Sequence, residues 1–324
     1  MTSRRKWKKQ WNKEYKRNSN HSTQFKYNKW GYFFLIPFFL IFITCSLIPQ
    51  IMTFINSFTE NYKEGLNLIG PKFVGLDNYI ALLKPNSRGD ILFFKYLGNT
   101  LILWVLGTIP QLIVALALAR IFSKNRLNIK GAHFFKTIMY MPNLIMSSAF
   151  AMLFFNMFSN IGPINQIISG IFGENATVDF FSRTVTVRGL ITFMNFLMWF
   201  GNTMLVLMAG IMNIDDSVYE AAAIDGANST KVFYNITLPL LKPILSYSII
   251  SSLLNGLQMY DIPQIFTNGT GTPGYSSKTI AMSLYSYLGT SKNYGMTGAI
   301  SVLMFIISAI LSIFIYKTLI HERD

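Results

Sequence analysis

The sequence predicts an all-α membrane protein that crosses the lipid bilayer six times. Of its 324 residues, 51% are hydrophobic and only 13% are charged, and the mean hydropathy is +0.36. Such a balance is typical of a polytopic membrane protein rather than of a soluble domain. A helix needs about 20 apolar residues to cross a bilayer. Six stretches meet that length: 32–57, 97–119, 134–158, 187–211, 244–266 and 296–318.

Several prolines lie within or at the ends of these predicted spans. They are Pro37, Pro49, Pro110, Pro142 and Pro263. Neighbouring helices can satisfy the carbonyl groups that a proline leaves without a donor, so the spans tolerate them. We expect kinks at these positions.

The first 30 residues carry ten lysines and arginines against one acidic residue, Glu14. Tryptophans 7, 11 and 30 are interleaved with the basic residues, a mixture also found in nucleic-acid-binding segments. This run leads directly into an apolar span, however, so anionic lipid headgroups are a sufficient partner. We therefore predict a basic cytoplasmic tail at 1–30, a six-helix transmembrane domain at 31–324, and no nucleic-acid partner.

The distribution of lysine and arginine predicts the orientation of the chain in the membrane, because cytoplasmic loops are enriched in both. With the N-terminus inside, 19 of the 28 basic residues lie on the inner side and nine on the outer side. The 14 acidic residues divide evenly between the two sides. Both termini are therefore predicted to be cytoplasmic, as is the polar segment between the fourth and fifth spans.

That polar segment, residues 215–239, is predicted to form two short helices joined by a tight turn. Ser217 and Glu220 have the spacing of a capping box, which predicts a helix whose body is Val218–Ile224. Gly226 follows where a helix favours a glycine just past its end.

The second short helix is predicted to begin after Asn228, a favourable N-cap residue. Pro239 is predicted to end it, because a proline pushes the residue before it, Leu238, out of the α region. By physical reasoning alone, the pair of helices is either an amphipathic loop between two spans or a docking element for another protein.

The residue pattern of this segment resembles the signature loop of the membrane subunits of bacterial ABC importers. The pattern is Glu-Ala-Ala, three residues, Gly, nine residues, Ile-x-Leu-Pro, and it is matched from Glu220 to Pro239. The resemblance implies the type I ABC importer permease fold and a loop that docks on an ATPase. The residues that it assigns to this coupling role are Tyr219, Glu220, Ala221, Ala222, Asp225, Gly226, Phe233, Ile236, Leu238 and Pro239.

A segment on the predicted outer side resembles one subgroup of these membrane subunits, the sugar-type permeases. The stretch FVGLDNY, Phe73 to Tyr79, resembles one found after the first span in the subunit that corresponds to the maltose system's first permease. Asp215 departs from the family pattern, since many relatives have a proline just before the first coupling helix. The resemblance covers the chain from about residue 30 to its end.

A polar stripe in the fifth span is the candidate substrate pathway. Ser251, Asn255 and Gln258 fall on one helical face, and Tyr260 and Asp261 lie near its outer end. Asn202 is a polar residue of the fourth span assigned to the same pathway. Amide and hydroxyl groups suit a hydroxyl-rich solute such as a sugar, although they also join transmembrane helices by hydrogen bonds.

The sequence offers no candidate for catalysis or for a metal site. Its three histidines are scattered, and its one cysteine, Cys45, excludes an intrachain disulfide and a cysteine metal site. Gly269 and Gly274 have the outer spacing of a phosphate-binding loop, but the Lys-Ser/Thr pair that the chemistry requires is absent after them. We expect no bound cofactor and no enzymatic activity, with ATP and Mg²⁺ held by a partner ATPase.

The resemblance therefore implies a permease subunit of an ABC importer in the bacterial cytoplasmic membrane, with a carbohydrate, in particular an oligosaccharide, as its solute. It implies a second, different permease subunit, two cytoplasmic ATPase subunits and an extracellular substrate-binding protein or lipoprotein as partners. One alternative is a permease of the same superfamily for a polyamine, phosphate or amino acid. A channel or secondary transporter that works alone is the other alternative.

Overall fold

The structure is a computed structural model that describes residues 29–87, 89–123, 130–173 and 176–320. The predicted tail at 1–30 lies outside the described residues except for its last two. The chain divides into two compact units, one ending at Met52 and the other beginning at Thr53.

In its described residues, the first unit consists of the apolar helix predicted from the first hydrophobic stretch. Helix α1 covers Lys29–Phe42, a π-helical turn covers Ile43–Leu47, and helix α2 covers Ile48–Asn56, which continues into the second unit. The stretch from Gly31 to Asn56 is long and apolar enough to cross a membrane. The first predicted span is confirmed.

A β-hairpin follows that the sequence did not predict. Strands β1, Thr59–Glu64, and β2, Asn67–Phe73, pair antiparallel across a turn at Gly65. Charged and polar residues occupy most of β1, so the hairpin lacks the alternation of apolar residues by which strands are recognised.

The stretch FVGLDNY anchors the base of this hairpin. It ends β2 and opens helix α3, Asp77–Leu83. The side-chain amide of Asn78 donates hydrogen bonds to the carbonyls of Ser57 and Thr59, at 3.0 and 2.9 Å, and the Tyr79 hydroxyl donates to Ser57 Oγ at 2.8 Å. These contacts give the motif a structural role at the end of the first span.

Three further long helices in the described residues confirm the second, fourth and sixth spans. They are α4, Leu92–Ser123; α8, Thr184–Met212; and α15, Tyr294–Ile320. Helices α4 and α8 pack along their length, with Leu103 beside Ile191 and Met194 in one apolar cluster and Ala115 beside Met204 in another. Pro110 lies inside α4, which continues past it as one helix.

The third span is sharply broken rather than kinked. Helix α5 covers Ala132–Tyr140, a 3₁₀ turn covers Met141–Leu144, and helices α6 and α7 cover Ser147–Phe158 and Pro163–Phe172. The two halves meet at 88°. Pro142 lies at this break, and the neighbouring Asn143 amide donates to the Met198 carbonyl of α8 at 3.1 Å, which fixes the turn.

The fifth span is also bent, by 64°, and it contains the second half of the polar segment. Helix α9 covers Asp216–Ile224, α10 covers Ser229–Val232, a π-helical turn covers Phe233–Thr237, and α11 covers Leu238–Leu240. The span continues as α12, Lys242–Leu257, and α13, Asp261–Phe266, and helix α14, Ile280–Gly289, follows. With each bent pair counted as one span, the described residues give the six predicted spans.

Candidate functional site

The polar segment between α8 and α12, residues 215–239, is the predicted coupling element. Its first helix begins at a different cap from the one predicted: Asp215 Oδ1 accepts a hydrogen bond of 2.8 Å from the backbone nitrogen of Ser217. The predicted capping box of Ser217 and Glu220 is therefore wrong, because Asp215 supplies the same acceptor two residues earlier.

The hydrogen bond from Ser217 holds the pKa of the Asp215 carboxyl group below its usual value. A lowered pKa means that the cap stabilises the helix at pH values above the ordinary carboxyl pKa. That stabilisation is lost as the pH falls through the lowered pKa. At neutral pH the cap is charged, and it lies at the positive end of the helix dipole.

Gly226 ends helix α9 as predicted. Its φ is +72°, and the backbone nitrogens of Gly226 and Ala227 donate to the carbonyls of Ala223 and Ala222, at 3.1 and 3.0 Å. This pair of bonds is the Schellman arrangement, which requires a left-handed residue just past the helix end. The turn between the two short helices is therefore fixed by glycine.

Helix α10 begins as predicted, because Asn228 Oδ1 accepts a hydrogen bond of 2.8 Å from the Lys231 nitrogen. Its predicted end is wrong. Leu238 has φ −64° and ψ −43°, within the α region, and the chain remains helical past Pro239. The π-helical turn at Phe233–Thr237 widens the helix just before Pro239. The helix tolerates at this place the absence of the N–H group that proline lacks.

The residues assigned to coupling divide into an exposed and a buried set. Glu220, Ala221, Asp225 and Gly226 are exposed, and the neighbouring Ile224 is 87% exposed. Ala222 and Phe233 are buried, while Tyr219, Ile236, Leu238 and Pro239 are half-buried. The exposed set lies on and just after the C-terminal half of α9.

Behind α9 lies a cavity of about 480 Å³ that the coupling element shares with the C-terminal ends of α4 and α8. Tyr219 and Thr237 face it, with their hydroxyl oxygens 3.3 Å apart, and so does Glu220. Arg120, from the last turn of α4, also lines it and contacts α10. No sequence pattern marks Arg120, because its partners are more than 100 residues away.

A second cavity, of about 390 Å³, lies among α4, α8, α12 and the start of α13. All six residues predicted for the substrate pathway line it: Asn202, Ser251, Asn255, Gln258, Tyr260 and Asp261. Gln258 does so from the residue after the end of α12 and not from the helix itself. The volume falls in the range of about 300–1,000 Å³ that is typical of small-molecule sites.

Polar and aromatic side chains of α4 form a wall of this cavity that the sequence analysis missed. Trp104, Thr108 and Gln111 have the same helical spacing as the predicted stripe and could have been found by it. The Trp104 indole nitrogen donates to Ser252 Oγ at 3.2 Å, and the Thr108 and Ser252 hydroxyls hydrogen-bond at 2.8 Å. Gly256 lets the indole pack directly against the backbone of α12.

The cavity is chemically almost neutral. Among the described residues that line it, Asp261 is the single carboxylic acid, and none is lysine, arginine or histidine. Trp199, Tyr247 and Tyr260 add aromatic surface, and the Tyr260 ring lies 4.3 Å from that of Tyr285. Within the part of the chain that the structure describes, no group of three histidine, cysteine or acidic residues could hold a metal ion.

The comparisons with known proteins agree with this architecture. Residues 111–323, about two thirds of the chain, match the family described as binding-protein-dependent transport system inner membrane component. The probable ABC transporter permease protein YesP of Bacillus subtilis (strain 168) is 30% identical over 90% of this chain and 91% of its own length. The lactose transport system permease protein LacF of Rhizobium radiobacter is 31% identical over 83% of this chain and 86% of its own length.

A solved structure confirms the fold. A bacterial ABC transporter involved in the import of the acidic polysaccharide alginate contains a chain that superposes with a TM-score of 0.71, at 19% identity, over 92% of this chain and 98% of that one. At 19% identity, the similarity to that structure shows the fold alone. The family match and the two relatives carry the assignment: the chain belongs to the binding-protein-dependent transport system inner membrane components and is a permease of an ABC transport system.

Proposed function

We propose that this chain is the permease subunit of an ATP-driven importer that moves a carbohydrate, in particular an oligosaccharide, into the cell. The observation that carries the proposal is the cavity of about 390 Å³, whose polar lining is made almost wholly of amides, hydroxyls and aromatic rings. Such groups exchange hydrogen bonds with sugar hydroxyls without requiring a charged solute. The relative named for lactose transport supports the same substrate class.

The lining also favours a carbohydrate over a strongly ionic solute. A phosphate would need a cationic partner, and the described lining residues offer none. A polyamine would need several carboxylates, whereas Asp261 is the one carboxylic acid among the described residues of the lining. Aromatic rings beside hydrogen-bonding groups instead suit the apolar faces and polar rims of sugar rings.

The coupling element is the proposed contact with the ATPase. Ile224 and the exposed residues around it form a compact projection, held by the Asp215 and Asn228 caps and by the turn at Gly226. We propose that two cytoplasmic ATPase subunits bind and hydrolyse ATP, one of them docked on this projection. This chain then has no enzymatic activity of its own and binds no cofactor.

The proposed organisation places residues 1–30 in the cytoplasm as a basic tail on the inner leaflet, and residues 31–324 in the membrane domain. Both termini and the coupling element face the cytoplasm, and the β-hairpin and α14 face outward. A second, different permease completes the translocation path, and an extracellular binding protein delivers the sugar to it.

ATP hydrolysis in the assembled complex tests this proposal. The chain, carrying an affinity tag, is purified from its source cells with its partner subunits and placed in proteoliposomes with the binding protein. We expect hydrolysis to rise when the binding protein is loaded with one member of a panel of mono-, di- and oligosaccharides. Stimulation by a polyamine, phosphate or amino acid alone would overturn the substrate class, and solute uptake without ATP would overturn the importer.

A further inference from the structure

We propose that Arg120 is a positioning residue that ties the coupling element to helix α4 and so to the wall of the membrane cavity. The inference rests on the proposed importer function and adds a route by which the ATPase contact reaches the substrate cavity. Arg120 does not belong to the signature segment, and its side chain contacts Ser229 and Phe233.

The side chain of Arg120 contacts helix α10 and the first residue of the π-helical turn that follows it. Its Nη2 atom donates to the carbonyl oxygen of Ser229 at 3.1 Å and to Ser229 Oγ at 3.3 Å. The centre of the guanidinium group lies 4.4 Å from the centroid of the Phe233 ring. One side chain therefore holds both ends of a single helical turn.

The Phe233 ring that Arg120 contacts is held in place by its surroundings. Phe233 is only 8% exposed, and the Ser229 carbonyl also accepts the backbone nitrogen of Phe233, so the arginine reinforces the turn that α10 already makes. A planar guanidinium can stack on a ring and donate hydrogen bonds at the same time, which an ammonium group cannot do as well. The geometry therefore depends on arginine and not only on positive charge.

Helix α4 carries the effect of this attachment into the membrane. Arg120 lies nine residues after Gln111 on one helix, a distance of about 13 Å along its axis. Gln111 Nε2 donates to Thr203 Oγ1 of α8 at 2.7 Å, and Thr108, one turn further, bonds to Ser252 of α12. All four of these side chains line the cavity.

The chain also connects the coupling element to α12 and to α8, but neither connection is one continuous straight helix. Toward α12 the chain passes the π-helical turn at Phe233–Thr237 and then a bend of 64°. Toward α8 it passes the non-helical residues before the Asp215 cap. Arg120 adds a non-covalent connection to a third helix, and we infer that movement of the coupling element displaces α4 through it.

Three variants of the assembled complex test this inference. Arg120→Ala removes the attachment, Arg120→Lys keeps the charge and a donor for the Ser229 carbonyl, and Lys136→Ala is the matched control. Lys136 is also a basic residue at the predicted cytoplasmic end of a span, with its Nζ atom 5.9 Å from the Phe122 ring centroid. It therefore controls for loss of one charge and of one contact with an aromatic ring.

We expect the Arg120→Ala complex to keep its ATPase subunits while stimulation of hydrolysis by loaded binding protein falls about tenfold. Arg120→Lys should fall between this variant and the unmodified complex, and Lys136→Ala should match the unmodified complex. Hydrogen exchange of the amides at 229–237 should be faster in Arg120→Ala, since the helical turn has lost its support. Equal exchange rates and equal stimulation in Arg120→Ala would overturn the inference.

Loss of the ATPase subunits from the Arg120→Ala complex would also overturn it, because Arg120 would then serve only to shape the docking surface. An unmodified complex that hydrolyses ATP without responding to loaded binding protein would contradict the proposed function instead. The exchange rates at 229–237 would still decide whether Arg120 supports the coupling element.

Discussion

Arg188 Nη2 donates a hydrogen bond of 2.7 Å to Asn99 Oδ1, and this bond joins α8 to α4 near their predicted outer ends. The same guanidinium donates to the Ser276 carbonyl from Nε and Nη2, at 3.0 and 2.8 Å. The Asn99 amide in turn donates to the carbonyls of Tyr275 and Lys278, at 2.8 and 3.1 Å. The loop before α14 is thus tied to two membrane spans by a pair of side chains.

Replacing Arg188 by alanine should loosen this loop. Asn99 is 5% exposed, so its side-chain oxygen would remain buried without its charged donor, at a cost of about 1–3 kcal/mol. We expect faster amide hydrogen exchange at 271–279 and unchanged exchange in the coupling element. Arg188→Lys keeps one donor and should give an intermediate rate; exchange at 271–279 as slow as in the unmodified protein would contradict the prediction.

Replacing Gly226 by valine should weaken the contact with the ATPase. A Cβ atom at this position would meet no atom within 4 Å, so the penalty arises from the left-handed backbone, at roughly 1–2 kcal/mol. We expect normal amounts of protein in the membrane, less co-purified ATPase, and hydrolysis that no longer responds to loaded binding protein. Gly226→Asn is the matched control, because asparagine tolerates a positive φ. Equal behaviour of the two variants would contradict the explanation by backbone strain.

Glu220→Lys tests the exposed charge of the same projection. Glu220 is exposed and lines the cavity behind α9, and its replacement reverses the charge without touching the caps at Asp215 and Asn228. We expect weaker association of the ATPase, measured by co-purification at low and high salt. Unchanged association under both conditions would argue against a role for this carboxylate in docking.

Asn255→Leu and Gln258→Leu should each weaken sugar transport. Both side chains line the membrane cavity, and loss of a neutral hydrogen bond changes affinity several-fold, since each is worth about 0.5–1.5 kcal/mol net. The measurement is uptake into proteoliposomes as a function of the concentration of loaded binding protein. Asn156→Leu makes the same substitution at an exposed residue of α6 outside the cavity lining and should have no effect. Unchanged uptake in the Asn255→Leu and Gln258→Leu variants would mean that these side chains serve only as contacts between helices.

The proposed orientation can be checked with single cysteines in a Cys45→Ser background. Ser291, after α14, and Lys130, before α5, are both exposed. We expect a membrane-impermeant maleimide to label Ser291→Cys in intact cells and to label Lys130→Cys only after the cells are opened. Labelling of position 130 from outside would reverse the orientation inferred from the distribution of basic residues.

The sequence by itself determined the features that depend on neighbouring residues. Long apolar runs require helices of membrane length, because lipid offers no partner for backbone groups. Gly226 and Asn228 fix the turn of the coupling element, since a left-handed residue and an N-cap acceptor act within a few residues. Ser251 and Asn255 of the fifth-span stripe likewise line one cavity because of their helical spacing, whereas Gln258 lies just after the end of α12.

Only the tertiary structure decided which of several local options was used and which distant residues meet. Asp215 and Ser217 are both acceptable caps, and in the structure Asp215 supplies the capping side chain. Pro239 was expected to end a helix, yet the π-helical turn before it lets the span continue. Arg120 and Phe233, or Thr108 and Ser252, are brought together by the packing of α4 against the coupling element and α12, and no local spacing encodes contacts between residues more than 100 positions apart.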